Sequence, residues 1–221
     1  MEYMQLLAEV FTTAVNENNA MAMKAYLRDQ FEHIGIKTPE RRNMLKTVIA
    51  RHGLPTVSDM PMLVKMLWAM PEREYQYIAI DLMERFKKQW NPDDIHLFEY
   101  MITHKSWWDS VDSVVSALAG PWFKKFPAAQ PAITDRWISS DNFWLQRSAI
   151  IFQNAYKKDT DEKLLYRYIQ RCASSNEFFI RKAIGWALRE YSKTNPESVR
   201  KFVMQTPLAS LSQREALRRI V

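Results

Sequence analysis

The chain has 221 residues, of which 47% are hydrophobic and 25% charged, with a formal net charge of +6 at pH 7. That balance supports a buried core and excludes a long disordered chain. Four glycines leave little for glycine-rich phosphate loops or hairpin turns, and a single cysteine excludes an internal disulfide and a multi-cysteine zinc or iron–sulfur site within this chain. The cationic excess points to an anionic partner, with a merely soluble basic protein as the competing reading.

In chain order, residues 2–15 and 19–31 read as two amphipathic helices. Thr38-Pro39-Glu40 supplies an N-cap, a first-turn proline and an early acid for a helix to Arg51, which Gly53 ends. Paired helices follow at 58–69 with 72–88, 93–103 with 107–126, 131–138 with 142–158, 161–172 with 176–191, and 196–205 with 211–221. Prolines punctuate the helix boundaries, as in Met70-Pro71-Glu72, Asn91-Pro92-Asp93 and Asn195-Pro196-Glu197. The chain is all-α, Cys172 is expected as a small core residue, and the twelve methionines as core filler. The chain ends on the apolar pair Ile220-Val221, which leaves room for native sequence beyond it.

These pairs repeat. Tyr77, Asp112, Arg147 and Lys182 recur every 35 residues, with Arg42 one period earlier. Segments from Glu72, Trp107, Asn142 and Glu177 align on that period without gaps, so that Gln76 falls on Gln146, Ile80 on Ile150 and Lys88 on Lys158. A period of this length without strand patterning marks stacked helical pairs, one continuous solenoid over residues 1–221. If the recurring positions face one side, they line a groove. Lys87 and Lys88, Lys157 and Lys158, and Arg189 and Lys193 fall late in successive second helices, with Lys124 and Lys125 slightly displaced. Such a row of cations along one edge tracks a phosphate backbone.

The segment Lys105-Ser106-Trp107-Trp108-Asp109-Ser110-Val111-Asp112 joins two tryptophans and two carboxylates at a helix start. Trp108 and Asp112 are i and i+4 and share a face. Asp109 reads as a cap or as a partner for a neighbour. Arg147 holds the same phase one repeat later, where it suits a salt bridge to Asp112 or Asp109 as well as a grip on phosphate. Trp186 follows Lys182 by four, and Gly185 beside it lets another backbone or a ligand approach. A core tryptophan explains Trp186 alone; a two-aromatic cleft around an acid explains it together with Trp108 and Asp112. The four histidines have no metal-ligand spacing, and no serine lies in a nucleophile elbow. No cofactor or metal is expected. Without a leader pattern or a long apolar run, a soluble cytosolic protein is expected.

Lys105-Ser106-Trp107-Trp108-Asp109-Ser110-Val111-Asp112, Asp141-Asn142 with Trp144-Leu145-Gln146-Arg147, and Lys182-Ala183-Ile184-Gly185-Trp186 resemble the AlkD-type family of bacterial DNA alkylation repair glycosylases. Thr38-Pro39-Glu40-Arg41-Arg42 and Pro71-Glu72-Arg73-Glu74 add to the likeness, which runs from Gly35 to Arg214. The resemblance implies a superhelix of HEAT-like antiparallel repeats whose concave basic groove holds duplex DNA. It also implies a monofunctional enzyme that excises purines alkylated on nitrogen 3 or 7 from the duplex, without a deep base pocket. On that likeness Asp112, Trp108 and Trp186 form the catalytic cleft, Arg147 anchors the backbone beside it, and Tyr26, Arg42, Lys157, Lys182 and Arg189 contact DNA. The implied partner is duplex DNA containing alkylated purines, with no membrane and no obligate protein partner, and with the chain acting as a monomer in the cytoplasm, on the nucleoid when bound. Two alternatives stay open: a non-catalytic solenoid that binds bent or branched DNA, and a scaffold for an acidic protein surface.

Overall fold

The computed structural model describes residues 2–220, so Val221, the expected end of the last helix, lies outside the described residues. The described residues are helical and hold no strand; one isolated parallel bridge joins Glu32 to Glu72. No helix among them is long and apolar enough to cross a membrane. The chain divides after Asn91 into two compact units.

The first unit contains α1 (Glu2–Thr12), α2 (Glu17–Tyr26), α3 (Thr38–His52), α4 (Met60–Ala69) and α5 (Arg73–Arg85). Helix α2 buries no residue and is tied down at its start instead: Asn16 accepts from the Asn19 N–H at 2.9 Å, and the Asn19 side chain donates to Gly35 O at 3.2 Å. Lys37 rather than Thr38 precedes α3, and it makes no side-chain cap. The motif around Arg73-Glu74 is structural. The fully buried Glu74 carboxylate accepts from the backbone N–H groups of Ile34, Gly35 and Ile36 at 3.1, 2.9 and 3.1 Å, fixing the turn before α3. Arg73 lies 3.8 Å over the Phe31 ring.

The second unit contains α6 (Asp94–Thr103), α7 (Trp108–Val114), α8 (Gly120–Lys125), α9 (Gln130–Ile138), α10 (Phe143–Ile151), α11 (Glu162–Cys172), α12 (Phe178–Tyr191), α13 (Pro196–Gln205) and α14 (Ser210–Leu217). The helix expected over 107–126 is interrupted by a π turn at Val115–Ala119, where the Gly120 N–H bonds Val115 O. Pro121 has no N–H to give and its ring crowds the preceding turn, so the helix widens by one residue. The helix expected to reach Lys158 stops at Ile151, and the chain turns before a 3-10 segment at Lys157–Asp159.

The 35-residue period has a physical basis here. Ser140 Oγ accepts the Asn142 N–H, Asn142 caps Trp144, and Gln146 Nε2 donates back to Ser140 O at 2.7 Å. One period later, Ser175 Oγ accepts the Glu177 N–H, Glu177 caps Phe179, and Arg181 Nε donates back to Ser175 O at 2.8 Å. Each module satisfies orphan donors at a helix start and closes the preceding turn. Gln76 in the first unit makes the same return to Met70 O at 3.0 Å.

Cys172 is buried as expected. The methionines divide: Met4, Met60, Met83 and Met101 fill core, whereas Met21, Met62 and Met204 are exposed. Met204 stands on the outer side of α13, where the amphipathic helix turns its apolar face, with Val199 and Phe202, inward.

Candidate active site

Lys105, with a left-handed φ of 47°, turns the chain three residues before helix α7, whose N-cap is the extended Trp107, and the helix places Trp108 one turn before Asp112 on the same face. The Asp112 carboxylate is met from the next repeat by Arg147 on α10. Nε donates to Oδ1 and Nη2 to Oδ2, both at 2.8 Å, a bidentate pair. The third arm, Nη1, donates to Phe179 O in the first turn of α12 at 2.6 Å. One guanidinium therefore joins α7, α10 and α12.

Burial separates the partners. The Arg147 side chain is 5% exposed and that of Asp112 18%. Access to the pair is through the carboxylate. Desolvation pushes the Asp112 carboxyl above its ordinary value of 3.8, the Arg147 hydrogen bonds and charge pull it back, and Asp109 adds a smaller upward push. Of the two roles open to Arg147, this geometry displays the salt bridge to Asp112.

An aromatic wall stands beside this pair. The rings of Trp107 and Phe179 meet edge to face at 5.1 Å, Trp144 lies 4.9 Å from Phe179, and Phe143 stacks parallel to Phe179 at 6.3 Å. These rings come from the starts of α7, α10 and α12, so the aromatic residues that open successive repeats pack on one another.

Trp186 is half-buried on α12 between Lys182 and Arg189. Both cations bond Glu215 of α14: Lys182 Nζ donates to Oε1 at 2.9 Å and Arg189 Nη1 to Oε2. Gly185 admits α14 to this contact, since a Cβ there stands 2.5 Å from Glu215 Cβ and 3.1 Å from Ser212 O. The close approach foreseen at Gly185 is thus that of a helix. Sequence reasoning missed Glu215; its signal is the 33-residue offset from Lys182, close to the repeat length.

Lys157 is exposed on the 3-10 segment with a left-handed φ of 56°. Tyr26 and Arg42 belong to the first unit: Tyr26 is 71% exposed at the end of α2, and Arg42 Nε donates to Asp81 Oδ1 at 3.2 Å while its side chain stays 61% exposed. Asp81 also accepts from the buried Arg41 at 3.1 Å. Among the described residues no cluster of histidine, cysteine or carboxylate has the arrangement of a metal site.

The fold and this site define an all-α helical-repeat protein with a partly buried carboxylate clamped by arginine among aromatic rings. A profile of the DNA alkylation repair enzyme family matches residues 7–220, and the chain belongs to that family. The chain is similar to the structure of a predicted DNA alkylation repair enzyme from Enterococcus faecalis, at 34% identity and a TM-score of 0.87 over 94% of this chain and 97% of that one. AlkD2 from Streptococcus mutans shares the fold at 20% identity and a TM-score of 0.62, over 90% of this chain and 99% of its own. The protein smu.31 from Streptococcus mutans UA159 does so at 18% and 0.62, over 81% and 92%. No curated protein matched the chain.

Proposed function

We propose that this DNA alkylation repair enzyme is a monofunctional glycosylase that hydrolyses the N-glycosidic bond of cationic N-alkylated purines, of the 3-methyladenine and 7-methylguanine type, in duplex DNA. The observation that carries the reading is the Asp112–Arg147 pair, in which a fixed carboxylate stays 18% exposed while its arginine is buried behind it. The family profile spans both compact units, which supports treating them as one repair domain.

The chemistry suits a carboxylate of this kind. A purine alkylated on nitrogen 3 or 7 carries positive charge and leaves without a general acid. As its bond to the sugar breaks, positive charge moves onto the deoxyribose in an oxocarbenium-like transition state. Asp112, ionised and held at both oxygens, opposes that charge with no reorientation during the reaction, and it orders the attacking water. Arg147 acts as a positioning group: its two parallel bonds fix the carboxylate plane, and its bond to Phe179 O sets α12 relative to α7. Trp108 and Trp186 offer π faces to the charged nucleotide, each contributing about 0.5–2 kcal/mol where water is excluded. Tyr26, Arg42, Lys157, Lys182 and Arg189 contact the DNA backbone in this reading.

Chromatographic detection of free 7-methylguanine, with an abasic site left in an uncut strand, tests the proposal. Strand cleavage without added base, or salt-sensitive duplex binding with no base released, contradicts it; the latter result belongs to a DNA-binding relative without catalysis.

A further inference from the structure

Lys182, Trp186 and Arg189 occupy i, i+4 and i+7 of α12 and so share one stripe of the helix. Glu215 reaches that stripe from α14 and bonds the cation at each end, one carboxylate oxygen to each. Its position is set by backbone rather than by a flexible reach. The bare Cα of Gly185 admits the Glu215 Cβ, and Ser212 Oγ, one turn earlier on α14, donates to Arg181 O at 2.9 Å. Lys182 and Arg189 hold the Glu215 carboxyl below its ordinary value of 4.5, so it is an anion at neutral pH. The cations still face solvent, with side chains 37% and 21% exposed. An ammonium has three donors and a guanidinium five, and each gives one to Glu215.

Two cations spaced to take the two oxygens of a carboxylate are also spaced to take two oxygens of a phosphodiester. We propose that Lys182 and Arg189 form a phosphate seat flanking Trp186, and that Glu215 is its resident anion, which a backbone phosphate of the duplex competes with and partly displaces. With Glu215 in place the seat is a single net positive charge; without it, two. The carboxylate thereby tempers the grip of this face on undamaged backbone and keeps both cations aligned beside Trp186. The inference rests on the DNA reading above and is independent of the glycosylase chemistry.

The test is fluorescence anisotropy of a lesion-free duplex across a salt series, comparing the native chain with Glu215→Gln and Glu215→Asp, each checked for its melting temperature. Glu215→Gln is expected to bind more tightly at low salt, with the slope of log K against log[salt] steeper by about 0.9, the equivalent of one more neutralised phosphate. Adding Lys182→Gln to that variant is expected to restore the native slope. Glu215→Asp keeps the charge but is one methylene too short to bridge both cations, and is expected to fall between the other two. Unchanged affinity and slope in both variants, with or without a lower melting temperature, make Glu215 a purely structural residue and overturn the proposal. Weaker binding by Glu215→Gln at an unchanged slope overturns it too. Absence of duplex binding by the native chain overturns the DNA reading and the seat with it, whereas absence of base excision leaves this experiment unaffected.

Discussion

Replacing Gly185 by alanine sets two effects of opposite sign against each other. In a helix interior alanine is favoured over glycine by about 1 kcal/mol, so local propensity alone makes the variant more stable. The structure places the new methyl 2.5 Å from Glu215 Cβ and 3.1 Å from Ser212 O. Carbon atoms rest at about 3.5–4.0 Å, so α14 must retreat by about 1 Å. Neither obstacle is the free end of a flexible side chain. Overpacking of this kind costs about 1–3 kcal/mol, and the shift also stretches the Lys182–Glu215 bond, now 2.9 Å, beyond hydrogen-bonding range. The net expectation is a loss of about 1–2 kcal/mol, which lowers the urea midpoint by about 0.5–1 M at a slope of about 2 kcal/mol/M. Urea titrations followed by far-UV circular dichroism read this directly. A Gly185→Ala variant as stable as the native chain, or more stable, refutes the packing argument and means that helix propensity outweighs the close contact with α14.

Gly35→Ala is expected to destabilise the first unit by more than about 2 kcal/mol, because φ is 95° there and a Cβ meets Asn16 O at 2.0 Å; thermal unfolding measures it. Glu74→Gln replaces one of the two accepting oxygens with an NH2 donor, which is left facing at least one backbone N–H, with an expected loss of about 1–3 kcal/mol by the same measurement. The pH profile of single-turnover excision is expected to fall in acid with a midpoint above 3.8, because burial raises the Asp112 carboxyl. The same shift acts on stability with the opposite sense: the folded chain holds this proton more tightly, so its stabilising contribution is complete below the unfolded pKa and is lost as pH rises through the folded one. The absence of a deep base pocket, expected from the family resemblance, predicts that bulky cationic adducts are excised as well as methyl groups. Excision confined to methyl lesions in a matched oligonucleotide series contradicts that expectation.

Much of the fold was legible because a 35-residue recurrence and proline-marked helix boundaries stand in the sequence; the capping chemistry that gives the recurrence its physical basis shows only in the structure. Ser140, Asn142 and Gln146 recur as Ser175, Glu177 and Arg181, and a period carried by hydrogen bonds survives where the apolar residues between have diverged. The Asp112–Arg147 spacing was legible for the same reason: equal phase in adjacent repeats brings two side chains together. Which role the arginine takes was not legible, since burial decides it and spacing does not report burial. The π turn before Gly120 depends on how the chain absorbs Pro121 inside a continuous helix, which periodicity averages away. Glu215 lay outside the aligned segments, and only the close contact at Gly185 shows that its helix completes the stripe around Trp186.

The most direct test of the central claim is single-turnover release of 7-methylguanine from a duplex oligonucleotide by the native chain and by Asp112→Asn, with duplex affinity measured on the same samples. The account predicts release by the native chain, unchanged duplex binding by the variant, and excision slower by at least ~tenfold, ~1.4 kcal/mol or more of lost transition-state stabilisation. Equal excision by the two removes Asp112 from the mechanism, and binding without release by either contradicts the glycosylase assignment.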